Sequence, residues 1–70
     1  MPKTASGKKV VKVLVKYFGF EVVSQKGSHI KVRSKDATTI VPNHKELARG
    51  TLKGVLKLAK VSEEDFWQKF

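Results

Sequence analysis

Residues 20–34 read Phe-Glu-Val-Val-Ser-Gln-Lys-Gly-Ser-His-Ile-Lys-Val-Arg-Ser, and this stretch decides the fold. Two runs rich in β-branched residues flank Lys26-Gly27, the signature of two antiparallel strands joined by a tight turn. Glycine supplies the positive φ that such a turn demands. The second run alternates. Ile30 and Val32 fall on one face of a strand, while His29, Lys31 and Arg33 fall on the other. If the apolar pair faces the core, an imidazole lies on the opposite, open face in line with two cations.

The flanking sequence builds outward from this hairpin. Over Lys8–Phe18 a polar stripe of Lys8, Lys12 and Lys16 opposes Val10, Val11, Leu14, Tyr17 and Phe18 at three- and four-residue steps. That period predicts a helix despite the valines, with Gly19 as its stop. Beyond the hairpin, Lys35-Asp36-Ala37 makes a turn, and Thr38–Val41 a short third strand ended by Pro42. Asn43–Arg49 reads as a loop. Leu52, Val55, Leu56 and Ala59 then give a second helix over Gly50–Lys60, in which Gly54 suggests close packing. Ser62 caps a short last helix whose first turn holds Glu63, Glu64 and Asp65, where the helix dipole favours acids. Phe66, Trp67 and Phe70 are expected to dock it onto the body. Residues 1–7 read as a disordered lead, without the apolar segment of a signal peptide, and residues 8–70 as one domain. The expected fold is therefore α+β, in the order α-β-β-β-α plus a C-terminal helix. It is an antiparallel three-stranded sheet with helices on one face, resembling a double-stranded-RNA-binding domain.

Charge narrows the class of partner. The 70 residues carry 15 Lys and Arg against 6 Asp and Glu, and residues 1–61 alone hold a balance of +11. Such a field attracts a polyanion. A membrane role is disfavoured, since no helix pairs its basic face with a large exposed apolar one. With no cysteine, a disulfide framework and a thiolate metal site are both excluded, and the cytoplasm is the expected compartment. His29 and His44, well separated and without a nearby carboxylate pair, do not make a metal-ligand set.

His29 is the candidate for proton chemistry, because an imidazole can both take and return a proton. A lone surface histidine is usually just solvated, but this one shares its strand face with Lys31 and Arg33. Chemistry on a polyanion needs a group to move a proton and cations or amides to hold charged oxygens. His29 fits the first role, and Lys26, Lys31, Arg33 and the Gly27 and Ser28 amides fit the second. Ser28 also has a simpler reading as a turn former. The second proton transfer falls to water, Lys31 or His44. For His44 the favoured role is structural, tying its loop to the sheet. The stripe of Arg49, Lys53, Lys57 and Lys60 reads as either a solvated face or a phosphate track.

The element order, with Lys26-Gly27-Ser28-His29, Val41-Pro42-Asn43-His44, Gly50-Thr51-Leu52 and Val55-Leu56-Lys57, resembles the HicA family of toxins over residues 8–67. The resemblance implies an mRNA interferase that cleaves single-stranded RNA through the histidine matching His29, without a metal or other cofactor. It also implies a HicB-like antitoxin partner that covers the active face; a monomer is the default expectation for the free toxin. One departure is Ile30, where many members place an aromatic or a second histidine. Because Ile30 falls on the core side, the change leaves the chemistry intact. Two other readings suit the same architecture: a non-catalytic RNA-binding module, and a basic domain that docks an acidic protein.

Overall fold

The computed structural model describes residues 4–70. Its elements are α1 (Gly7–Tyr17), β1 (Glu21–Lys26), β2 (His29–Arg33), β3 (Thr38–Pro42), α2 (Arg49–Ala59) and α3 (Glu63–Lys69). The strands form one antiparallel sheet in the order β1-β2-β3. α1 packs against β1 and β3, α2 against β3, and α3 against α1. The alternation read from β2 holds: Ile30 and Val32 are buried, and His29, Lys31 and Arg33 are exposed. The helices therefore bury one face of β2 and β3 and leave the other to solvent, while every residue of β1 is exposed.

Local chemistry sets most of the boundaries, though α2 starts after Ala48 without a side-chain cap. The Ser6 hydroxyl accepts from the Lys9 amide and opens α1. Gly19, at φ +74°, turns the chain back so that the Phe20 amide reaches the Leu14 carbonyl at 3.2 Å. The β1–β2 turn is the two-residue loop Gly27-Ser28, with Lys26 opposite His29. Positive φ at the first of the two, +56°, is the pattern of a type II′ hairpin. In the β2–β3 turn, the Ser34 hydroxyl accepts from the Asp36 and Ala37 amides, as serine commonly does where a chain reverses. Pro42 is the last residue of β3 rather than the residue after it. β3 is an edge strand, so the missing N–H costs no ladder bond.

The core runs from Val10, Val13 and Leu14 through Ile30, Val32 and Val41 to Leu52, Val55, Leu56 and Phe66. Thr39 is the buried polar exception, and its hydroxyl donates to the Val55 carbonyl at 2.9 Å, fastening β3 to α2. The Ser62 hydroxyl caps α3 by accepting from the Asp65 amide, and Phe66 is fully buried. Trp67 meets Phe66 edge to face and Phe70 lies tilted beside it, with ring centroids at 5.0 and 5.8 Å.

Several expectations need correction. Met1, Pro2 and Lys3 of the expected lead lie outside the described residues. The rest of that segment is tied down: the Thr4 hydroxyl donates to Glu46, Ala5 is buried, and Gly7 is the buried first residue of α1. The Gly7 amide donates to the His44 carbonyl, and the Leu47 amide to the Ala5 carbonyl, both at 2.9 Å. On α1, Val13 takes the core position expected of Tyr17, which is half-exposed at the helix end. Phe70 is likewise half-exposed rather than docked. Gly54 is exposed, with open space where a Cβ would stand, so close packing does not explain it. The glycine that packing does require is Gly7, where a Cβ would overlap the Pro42 carbonyl.

These two glycines should respond oppositely to the same change. Gly7→Ala should lower the unfolding free energy by about 1–3 kcal/mol through overpacking. Gly54→Ala should raise it by up to about 1 kcal/mol through helix propensity. Urea denaturation of the two variants beside the parent measures both signs.

Candidate functional site

The open sheet face is laid out in rows fixed by strand register. His29 stands between Lys26 on β1 and Pro42 on β3. The next row on the same face is Ser24, Lys31 and Ile40, and the one after it Glu21, Arg33 and Thr38. Directly opposed side chains across a sheet stand roughly 5 Å apart at Cβ, and same-face neighbours along a strand about 7 Å apart. His29 is thus within side-chain reach of both Lys26 and Lys31. The three residues line a shallow hollow of about 390 Å³, together with Ser24 and Ile40.

A bulge places β1 in this arrangement. Val22 pairs with Val32, but Ser24 pairs with Lys31, so Val23 is the extra residue. Without it the register would set Val23 opposite Lys31 and move Ser24 off the open face. The bulge thus puts a hydroxyl beside the cations instead of a valine. Ile40, half-exposed, supplies the apolar floor of the hollow, while Val41 and Thr39 beside it turn to the core.

The turn carrying the histidine is anchored from behind. The Asn43 amide donates to the Ser28 carbonyl at 2.6 Å, extending the β2–β3 pairing past Pro42. Gly27 and Ser28 lie exposed at the hairpin tip, next to both Lys26 and His29. No residue of the hollow is bonded to a carboxylate among the described residues.

The structure gathers most, not all, of the residues singled out from sequence. His29, Lys26 and Lys31 share the hollow, with Gly27 and Ser28 at its end. Arg33 does not join them. Its guanidinium donates to Glu21 at 3.3 Å, and it lines a different depression with Gly19, Ser34 and Lys35. His44 is absent from the hollow too, lining a separate one with Ser6, Lys8, Asn43 and Lys45. What ties its loop down is the backbone carbonyl that accepts from Gly7. Of the α2 stripe, Arg49 bonds Glu63 at 3.5 Å, while Lys53, Lys57 and Lys60 are exposed. Ser24 and Ile40 went unmarked in the sequence reading. A bulge carries no plain signal in Val-Val-Ser, and Thr-Thr-Ile-Val does not reveal which parity faces the core. Among the described residues no three His, Cys, Asp or Glu side chains come together as a metal-ligand group, and no helix is long and apolar enough to cross a membrane.

Neighbouring positions on β2 should separate chemistry from stability. His29→Ala, on the open face, should shift the unfolding free energy by less than about 1 kcal/mol. Ile30→Ala, one residue on, should cost about 2–5 kcal/mol. Thermal and urea denaturation distinguish them, and a large loss for His29→Ala would mean that the imidazole supports the fold.

Residues 7–61 match the family model described as HicA toxin of bacterial toxin-antitoxin. No curated protein matches the chain.

Proposed function

The chain belongs to the HicA toxin family of bacterial toxin–antitoxin systems, and from that premise we propose that it is a metal-independent endoribonuclease whose proton-transfer group is His29. Membership makes the chain the toxin of a toxin–antitoxin pair, a nuclease with a HicB-type antitoxin as partner. The finer reading is carried by one observation: the exposed imidazole of His29 sits between Lys26 and Lys31 in a hollow with an apolar floor.

In this reading the substrate is single-stranded mRNA, and it brings its own nucleophile. The ribose 2′-oxygen loses its proton and bonds to phosphorus, the bond to the 5′-oxygen breaks, and that oxygen takes up a proton. The products are a 2′,3′-cyclic phosphate and a free 5′-hydroxyl. His29 removes the first proton or supplies the second, a role worth roughly a hundred- to ten-thousandfold in rate. Lys26, Lys31 and the amides of Gly27 and Ser28 hold the nonbridging oxygens, where charge builds in the transition state. Ile40 offers an apolar surface to a base beside the scissile phosphate. Lys31 and water serve the second proton transfer better than His44, which lines a different hollow. Arg33, held by Glu21, is the weakest of the phosphate contacts.

The reading is tested by incubating the purified chain with single-stranded RNA in excess EDTA, beside His29→Ala. The expected outcome is cleavage that leaves cyclic-phosphate ends, falls by about 10²–10⁴ in the variant, and disappears when the scissile ribose is 2′-deoxy. Products with 5′-phosphate ends, or equal cleavage by both chains, would overturn it. RNA bound by both chains and cut by neither would show a binding module instead.

A further inference from the structure

A second basic surface lies on the helical side of the sheet and shares no residue with the hollow around His29. α1 and α3 leave between them a furrow of about 160 Å³ lined by Lys9, Lys12, Lys16, Lys69, Tyr17 and Phe70. Lys9, Lys12 and Lys16 stand at steps of three and four along α1, so their Cα atoms span about 10 Å. All four lysines are exposed, and none is paired with a carboxylate among the described residues. No acidic residue lines the furrow. The nearby Glu46, which lines the adjoining hollow, accepts the Thr4 hydroxyl.

The rings are part of the same surface. Tyr17 and Phe70 are 46% and 47% exposed, unusual for aromatic side chains of a small domain with a core to fill. Ammonium groups stand against them: Lys9 Nζ is 5.3 Å from the Phe70 ring centre, and Lys16 and Lys69 are 5.4 and 5.6 Å from that of Tyr17. These contacts hold the cations in the furrow and keep the rings at its surface.

We propose that this furrow is a second binding surface for single-stranded RNA, which anchors the strand on the helical side while the sheet face acts on it. The inference rests on the RNA reading of the sheet face. Unopposed lysines alternating with half-exposed rings match a strand in which phosphates alternate with bases free to stack. Duplex RNA offers no such bases, since they are already stacked and paired. A bilayer fits less well. Val10, Val13 and Leu14 of α1 are spent in the core, and the half-exposed Val15 and Tyr17 are too few to make an apolar face that inserts.

The test is binding without turnover. A labelled single-stranded oligoribonucleotide is titrated, at several salt concentrations, with the His29→Ala chain and with the same chain carrying Lys12→Gln and Lys69→Gln. Each phosphate contact on a single strand contributes about 0.7 to the slope of log affinity against log salt. The double change should therefore flatten the slope by about 1.4 and weaken binding about tenfold at low salt. Tyr17→Leu should weaken it by a similar factor through lost stacking. Backbone amide shifts on RNA addition should appear along α1 and α3 as well as at the β1–β2 turn. An unchanged slope, or amide shifts confined to the sheet, would overturn the proposal. So would lysine-dependent binding to phosphatidylserine vesicles with RNA affinity untouched. Cleavage by the native chain is scored separately: RNA held by the furrow but never cut would sink the nuclease reading alone, and cutting with an unchanged slope would sink this one alone.

Discussion

Everything on the open face depends on the burial of Ile30 and Val32. Both side chains sit in the core beneath β2, so the strand has only one way up, and His29, Lys31 and Arg33 are forced into solvent. The same constraint reaches the neighbouring strands through register. Lys26 and Ser24 come to the open face because they pair with His29 and Lys31, and Pro42 and Ile40 because they pair with the same residues from the other side. A site of five side chains from three strands is thus positioned by two apolar ones that touch none of the chemistry. A one-residue change in the length of the Gly27-Ser28 turn would shift β1 against β2 and exchange the faces of one of them.

The charge of the chain is arranged as well as large. Of the acidic side chains, Glu21 holds Arg33, Glu63 holds Arg49, and Glu64 and Asp65 begin α3. Four of the six carboxylates are thus spent on single arginines or on a helix end, while Glu46 accepts the Thr4 hydroxyl and Asp36 lies in the β2–β3 turn. The lysines of the sheet hollow and of the α1–α3 furrow are left without carboxylate partners among the described residues. Self-repulsion of this kind weakens a compact state. A small domain tolerates it because exposed lysines keep their ammonium groups in water while their stems lie along the surface.

Much of this was legible in the sequence because it rests on period. The alternation around His29 and the i, i+3, i+4, i+7 pattern of Leu52, Val55, Leu56 and Ala59 are local signals, and both appear in the structure as read. What was not legible rests on long-range contact. The bulge at Val23 is a property of β1 pairing with β2. The partner of Arg33 is set by Glu21 across the sheet, and the requirement for glycine at position 7 by Pro42, far along the chain. Gly54 misled for the complementary reason: a glycine in a helix invites a packing explanation, and only the surroundings reveal open space. Ser6 and Ala5 looked like part of a loose lead because a cap and a buried methyl are recognisable only once the loop they meet is in place.

Phe66 has a consequence for how the protein comes into being. It lies beyond the residues that match the family model, yet it is fully buried in the core against which α1 packs. The first helix and the sheet therefore share their core with a residue made among the last of the chain. A nascent chain has its complete cationic hairpin well before it has a closed core, and domains generally fold as units once their parts are available. The core beneath the display of His29 is thus completed by a residue near the other end of the chain.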